Sequence, residues 1–224
     1  MTEQFDLASV DHVLTTTRTV RKRLDPAVPV DLDDIRESLR IAAQAPTGGN
    51  AQGWRWLVVT DAGKRRAIAD IYAKGARPYL EANAALVPDG NAQQRRVVDS
   101  AMHLLDIMAD IPVHIIPCIL GRLDTAAAEG HAPMSNALAS GFYGSAWPAV
   151  WSLMLALRAR GYGSALTTLH LIHEQEAAEL LGIPDTVTQV GLLPVARYTG
   201  DGFKPAKRRP VEEITYWNGW KQRA

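Results

Sequence analysis

The chain has 224 residues and a mass of 24.4 kDa, a length that one large domain fills. Hydrophobic residues make up 47% and charged residues 21%, which excludes a disordered or collagen-like chain. Lys plus Arg and Asp plus Glu each number 24, so no broad positive field serves non-specific nucleic-acid binding, and any bound anion must be gripped locally.

Met1 to Val10 is a polar start without the basic and then apolar pattern of a signal peptide. Leu14 to Asp25 is densely basic, with Arg18, Arg21, Lys22 and Arg23, before Pro26 and Pro29 break the chain. From Asp31 the pattern is helical. Asp31 is placed to cap, Asp33 and Asp34 sit in the first turn, and Leu32, Ile35, Leu39 and Ala42 share a face, with a stop before Pro46. Ala45 to Gly53 is a polar loop, and Trp54 to Thr60 reads as a strand. Asp61 opens another helix, the Pro- and Gly-punctuated stretch from Arg77 to Asn91 reads as irregular, and Ala92 to Asp110 is helical. Ile111 to Leu120 is a second apolar strand, which Pro112 and Pro117 assign to an edge or to irregular geometry.

Arg122 to Ala139 is loop-like and a candidate lid. Phe142 to Arg160 reads as one helix buried on all sides, in the core or between subunits; its dense apolar part, Ala146 to Leu157, is too short to cross a bilayer of about 30 Å. Gly163 to Leu169 is a short strand, Glu174 to Leu181 a helix closed by Gly182, and Val187 to Tyr198 a further strand. The tail from Thr199 is basic around Lys204 to Arg209, then aromatic at Tyr216, Trp217 and Trp220, and is expected to dock, on a second subunit for instance. Cys118 lies in an apolar run and reads as a buried reduced thiol, which implies a cytoplasmic home.

Several chemistries lack their signature. His170 and His173 stand three apart, but there is no His-Glu-x-x-His and no cysteine pair, so no metal is assigned. Ser145 and Ser164 sit outside any Gly-x-Ser-x-Gly, and no phosphate loop is present. Gly161-Tyr162-Gly163-Ser164 begins like a dinucleotide fingerprint, yet it follows a helix and lacks the third glycine. A distributed anion site remains. Arg18-Thr19-Val20-Arg21 offers two guanidinium forks and a hydroxyl suited to a phosphate monoester, and Lys207-Arg208-Arg209 forms a second basic group nearly a chain length away. Thr47, Asn50 and Gln52 supply neutral donors and acceptors for a heteroaromatic edge, unless they only brace their own turn.

Four segments, Arg18 to Arg21, Ala45 to Trp54, Gly161 to Ser164 and Lys207 to Ile214, occur in an order and spacing that resemble the FMN-dependent nitroreductase family, and the resemblance runs from about Thr15 to Trp220. It implies one α+β domain with a central, mostly antiparallel sheet flanked by helices. The core would span about 15–198, and a tail of about 199–224 would exchange across an intertwined homodimer. FMN would lie at the subunit interface. By resemblance Arg18, Thr19 and Arg208 hold its phosphate, Arg21 and Lys22 supply cations near the ring, and Leu166, Thr167 and Thr168 supply backbone donors near its reactive nitrogen. Pro46, Thr47, Asn50 and Gln52 line the other side, from the partner chain. The implied activity is ping-pong hydride transfer from NADPH or NADH to a small nitroaromatic or quinone-like acceptor, with no protein acid or base named. The chain departs from the family in Gly53, where Pro is usual, and in Arg23-Leu24, where an aromatic residue is frequent. The Glu-Tyr-Lys substrate clamp of the deiodinase relatives is not recognised. Reductive dehalogenation, a flavin-storage role without turnover, and a nucleic-acid module using the arginine clusters with Trp54 and Trp56 stand as rivals; neither nucleic acid nor membrane is expected as partner.

Overall fold

Residues 5–123 and 135–223 are described in the computed structural model of the chain, which divides into a unit of Arg18–Gly200 and a unit of Met1–Thr17 with Asp201–Ala224. The polar start proves helical: α1 (Leu7–Thr16) begins where the Asp6 carboxylate accepts the Ser9 amide at 3.3 Å.

The larger unit is built on six antiparallel strands. They are β1 (Leu24–Asp25), β2 (Trp54–Val59), β3 (Val113–Leu120), β4 (Tyr162–Ser164), β5 (Val187–Gln189) and β6 (Leu193–Tyr198). The sheet order is β1–β6–β3–β2, with β4 also beside β6 and β5 beside β3. Helices α2 (Leu32–Ala42), α3 (Ala62–Ala85), α4 (Ala92–Ile107), α5 (Asn136–Gly144), α6 (Trp147–Ala159) and α7 (Glu174–Leu181) flank it. The α+β, mostly antiparallel architecture expected from the sequence is therefore present. Its core joins Ile35 and Ala42 of α2, Val113 and Ile115 of β3, and Leu153 and Leu157 of α6.

The caps fall where the sequence places them. Asp31 accepts the Asp33 amide at 2.8 Å, Asp61 accepts the Lys64 amide at 2.8 Å, and Gly182 closes α7 in the left-handed region at φ 67°. Tyr162 ties α2 to the sheet: its hydroxyl donates to Asp34 at 2.8 Å and accepts the Asp31 amide at 3.1 Å, while Arg197 stacks over its ring.

Five expectations need correction. The irregular stretch from Arg77 is the second half of α3, which carries Pro78 internally. Pro78 is exposed and so is Lys74 four residues earlier, so the carbonyl that the proline leaves unpaired lies on the solvent side of the helix. Strand β3 is central rather than an edge. The Pro117 carbonyl accepts the Val190 amide at 2.9 Å, so its missing donor faces the break between β5 and β6, where the ladder needs none. That same break divides the expected Val187–Tyr198 strand in two. Phe142 to Arg160 is likewise two helices, with Pro148 in the first turn of α6; within one chain Trp151 is 42% exposed, so its cover would have to come from a second subunit. The short strand after Gly161 ends at Ser164.

Of the candidate lid, 124–134 lies outside the described residues. Arg122 before it forms a two-pronged pair with Glu174 at 3.1 Å per bond, and Asn136 after it starts α5. Cys118 is a buried thiol as expected. No helix among the described residues is long and apolar enough to cross a membrane.

In the unit of the chain ends, α8 (Val211–Ile214) leads into a turn closed by the Trp217 amide on the Gln222 carbonyl at 2.8 Å. Here the rings of Tyr216 and Trp220 meet with centroids 4.8 Å apart and a tilt of 60°.

Candidate functional site

The basic arm Arg18–Arg21 enters the larger unit just before β1 and runs along the Gly-Tyr-Gly-Ser segment. Thr19 bridges Ser164, and the Val20 amide donates to the Ser164 carbonyl at 2.9 Å. The approach is close because residue 163 has no side chain. A Cβ there would lie 2.9 Å from Leu24 Cδ2 and 3.0 Å from Val20 Cβ. Val20 and Leu24 are buried and anchor the arm, whereas Lys22 is exposed. Burial holds the Arg21 guanidinium below the usual arginine range, and it stays a cation at neutral pH.

Beyond Ser164 the chain keeps a strand-like alternation. The amides of Ala165 and Thr167 donate to the carbonyls of Pro194 and Leu192, at 3.3 and 3.0 Å. The backbone groups of residues 164 and 166 therefore turn away from β6, and the Ser164 carbonyl meets the arm there. The Thr167 amide is thus committed to the sheet, and Leu166 and Thr168 are left as the candidate backbone donors of the three that the resemblance implied.

A residue with no motif completes this wall. Tyr72 of α3 is 2% exposed, and its phenol lies within electrostatic reach of Arg21. Burial raises its pKa, so the phenol stays neutral. Sequence reasoning missed it because it is one apolar-looking position in a helical stripe with Ile68, Ile71, Gly75 and Ala76.

The polar loop lies elsewhere. Its Gly48 amide donates to Ser145 Oγ at 3.0 Å and the Trp54 indole donates to the Ser145 carbonyl at 2.7 Å, so Ser145, which carried no signature, braces it. Inside, the Gln52 amide donates to Thr47 Oγ1 at 3.1 Å and the Gln52 carboxamide donates to Asn50 Oδ1 at 2.8 Å. Asn50 and Gln52 adopt φ of 55° and 48°, which costs energy in non-glycine residues and here holds polar side chains at an exposed turn. Pro46 is exposed and Thr47 half-buried. Gly53 continues the ladder, its carbonyl accepting the Leu120 amide at 3.0 Å.

The two groups belong to opposite edges of one sheet. The arm leads into β1 and the loop into β2, and the order β1–β6–β3–β2 separates these by three strand spacings, about 14 Å. Arg208 belongs to the unit of the chain ends, where it is exposed and donates to the Lys207 carbonyl at 3.2 Å. Of the histidine pair, His170 is buried and His173 faces Glu176 at 3.0 Å.

Residues 14–197 match the model of the nitroreductase family. The chain is 26% identical over 204 residues to an iodotyrosine deiodinase of Thermotoga neapolitana, covering 89% of this chain and 90% of that one. It is 27% identical over 205 residues to an NADH dehydrogenase of Thermus thermophilus, covering 89% and 91%. In fold it resembles an oxidised iodotyrosine deiodinase bound to FMN and 3-iodo-L-tyrosine, with a TM-score of 0.66 at 24% identity over 92% of this chain and 98% of that one.

Proposed function

Because the chain belongs to the nitroreductase family, we propose that it binds FMN between two copies of itself and passes a hydride from NADPH or NADH to a small nitroaromatic or quinone-like acceptor. One observation carries the reading: the Thr19–Ser164 bridge lays the Arg18–Arg21 arm along the strand that runs on to Leu166, which would join a phosphate grip and a ring-edge donor on one wall. The donor set fits a flavin mononucleotide, which needs cations for its phosphate and hydrogen-bond donors along an otherwise apolar ring.

When bound, FMN supplies hydride uptake from reduced nicotinamide and its release to the oxidant in alternate half-reactions. The protein's share is positioning and electrostatics. Arg18 and Thr19 hold the phosphate, joined by Arg208 of the tail. Arg21 faces the pyrimidine edge, and it or Lys22 offsets negative charge there. The Leu166 and Thr168 amides donate to the ring. Pro46, Thr47, Asn50 and Gln52 cover the opposite side from a second copy, since within one chain they lie across the sheet from the arm. No side chain is assigned as an acid or base.

A visible absorption spectrum of the purified chain tests the cofactor, and anaerobic mixing with NADPH or NADH tests turnover. A yellow protein that bleaches within seconds and recovers on adding a quinone supports the reading. A colourless protein after incubation with FMN refutes it, and a yellow one that never bleaches makes it a flavin-storage protein. Reductive dehalogenation is the second reading, favoured by the two deiodinase likenesses. Iodide release from 3-iodo-L-tyrosine by the reduced protein decides for it.

A further inference from the structure

Ser145 has a geometry that the flavin reading leaves without a role. It is 9% exposed and stands at the joint where α5 gives way to α6. Its amide donates to the Gly141 and Phe142 carbonyls, at 3.2 and 3.1 Å, and its Oγ donates to the Gly141 carbonyl at 2.7 Å. That bond uses the one hydroxyl proton, so the oxygen meets the Gly48 amide as an acceptor, at 3.0 Å. The Ser145 carbonyl lies at a helix end, and Pro148, three residues on, has no amide to give it. The Trp54 indole donates there, at 2.7 Å.

One residue thus grips the polar loop at both ends, at Gly48 where its turn begins and at Trp54 where it enters β2. What lies between is strained. Asn50 and Gln52 hold left-handed backbone at φ 55° and 48°, beside Gly49 at 58°, and non-glycine residues keep such conformations only where their surroundings over-determine them. Inside the loop the Asn50 amide donates to the Thr47 carbonyl and the Gln52 amide to Thr47 Oγ1, both at 3.1 Å. Those bonds tie the loop to itself. The two bonds to Ser145 tie it to the joint between α5 and α6, and so fix where Asn50 and Gln52 point relative to the rest of the fold.

We infer that Ser145 is a positioning residue for the flavin, which pins the loop at Gly48 and at Trp54 and so keeps Asn50 and Gln52 in the left-handed conformation in which they meet the cofactor. This rests on the FMN reading above. It adds a residue of the α5–α6 joint, outside every motif, to the set that governs flavin affinity. Ser145 acts through the loop and is not assigned contact with the cofactor.

The test uses the full chain. Ser145→Ala removes one oxygen at a helix end that alanine suits, so the apo chain is expected to melt cooperatively. Hydrogen exchange of the apo chain reads the clamp: the Gly48 and Gln52 amides exchange about three- to tenfold faster, the worth of one lost buried hydrogen bond. FMN affinity, read by flavin fluorescence quenching, weakens by about the same factor. Asn50→Gly with Gln52→Gly removes the side chains that the clamp aims, so adding Ser145→Ala to that pair weakens FMN binding no further. Unchanged FMN affinity in Ser145→Ala overturns the inference, whatever happens to the melting temperature. So does a full additional loss in the glycine background, because Ser145 would then act other than through the loop. Should Ser145→Ala fail to fold, Trp54→Phe, which frees the other end of the loop, is read by the same two measurements, and unchanged values there overturn the inference equally. A wild-type chain that takes up no FMN overturns the reading of the site, and this inference with it; a wild-type chain that binds FMN beside a Ser145→Ala chain with unchanged exchange overturns the inference alone.

Discussion

Gly163→Ala tests whether the arm is held by shape. The new methyl would meet Leu24 Cδ2 at 2.9 Å and Val20 Cβ and Cγ1 at 3.0 Å each. The leucine terminus can rotate aside, but Val20 Cβ is fixed to a backbone whose amide is bonded to Ser164 at 2.9 Å. The arm must therefore retreat by a few tenths of an ångström and stretch that bond. Overpacking of this kind costs about 1–3 kcal/mol. Replacing a strand glycine returns about 0.5–1 kcal/mol of that through the unfolded state. At about 2–4 °C per kcal/mol for a chain of this size, the apo protein should melt lower by up to about 10 °C. FMN affinity should fall in parallel, because Arg18 and Arg21 move with Val20. Scanning calorimetry and an FMN titration read the two effects. Adding Val20→Ala removes the Cγ1 contact and leaves only the Cβ contact, so the double variant should recover part of the affinity lost by Gly163→Ala alone. A single variant that melts within about 1 °C of wild type and binds FMN unchanged refutes the argument, as does a double variant whose losses simply add.

Two further outcomes follow from buried contacts. Gly75→Ala should destabilise the chain by about 1–3 kcal/mol, since its methyl meets backbone, the Leu169 carbonyl at 2.4 Å, rather than a yielding side chain; a urea melt with an unchanged midpoint refutes this. Burial lowers His114 and His170 from 6.5 to about 4. The unfolded chain thus binds more protons than the folded one between those values. Stability should be complete above about pH 6.5 and fall on acidification toward pH 4, by up to about 1.4 kcal/mol per pH unit for each histidine. NMR ring signals of these two histidines that titrate near pH 6.5 in the folded protein would contradict it.

Local chemistry was legible and distant consequences were not. The caps at Asp31, Asp61 and Gly182 follow from side chains acting within a few residues, and so they survive any fold. The prolines misled because the cost of a missing amide depends on what faces it: water at Pro78, a break between strands at Pro117. The Arg18–Arg21 arm and the Gly163 motif were each visible, but their contact is a long-range bridge, which no local period encodes. Tyr72 and Ser145 were invisible for a related reason. Ser145 acts through one hydroxyl aimed across the fold at the Gly48 amide, and Tyr72 comes within reach of Arg21 only through the packing of α3.

The separation of arm and loop on opposite sheet edges makes the two-chain site testable without a crystal. Take an arm variant, Arg18→Ala with Arg21→Ala, and a loop variant, Asn50→Gly with Gln52→Gly. Glycine suits the loop because both positions hold positive φ, so the side chains are lost without straining the turn. Each variant alone should bind FMN poorly. Mix them in equal amounts under conditions of subunit exchange, and half the dimers become mixed. If every site takes its arm from one chain and its loop from the other, each mixed dimer combines both defects in one site and neither in its mate. About a quarter of all sites are then intact, and flavin binding returns to about that fraction. If one chain furnishes both halves of its own site, every site in every dimer keeps a defect and mixing restores nothing. That outcome would withdraw the loop's assignment to the partner, whatever the oligomeric state proved to be.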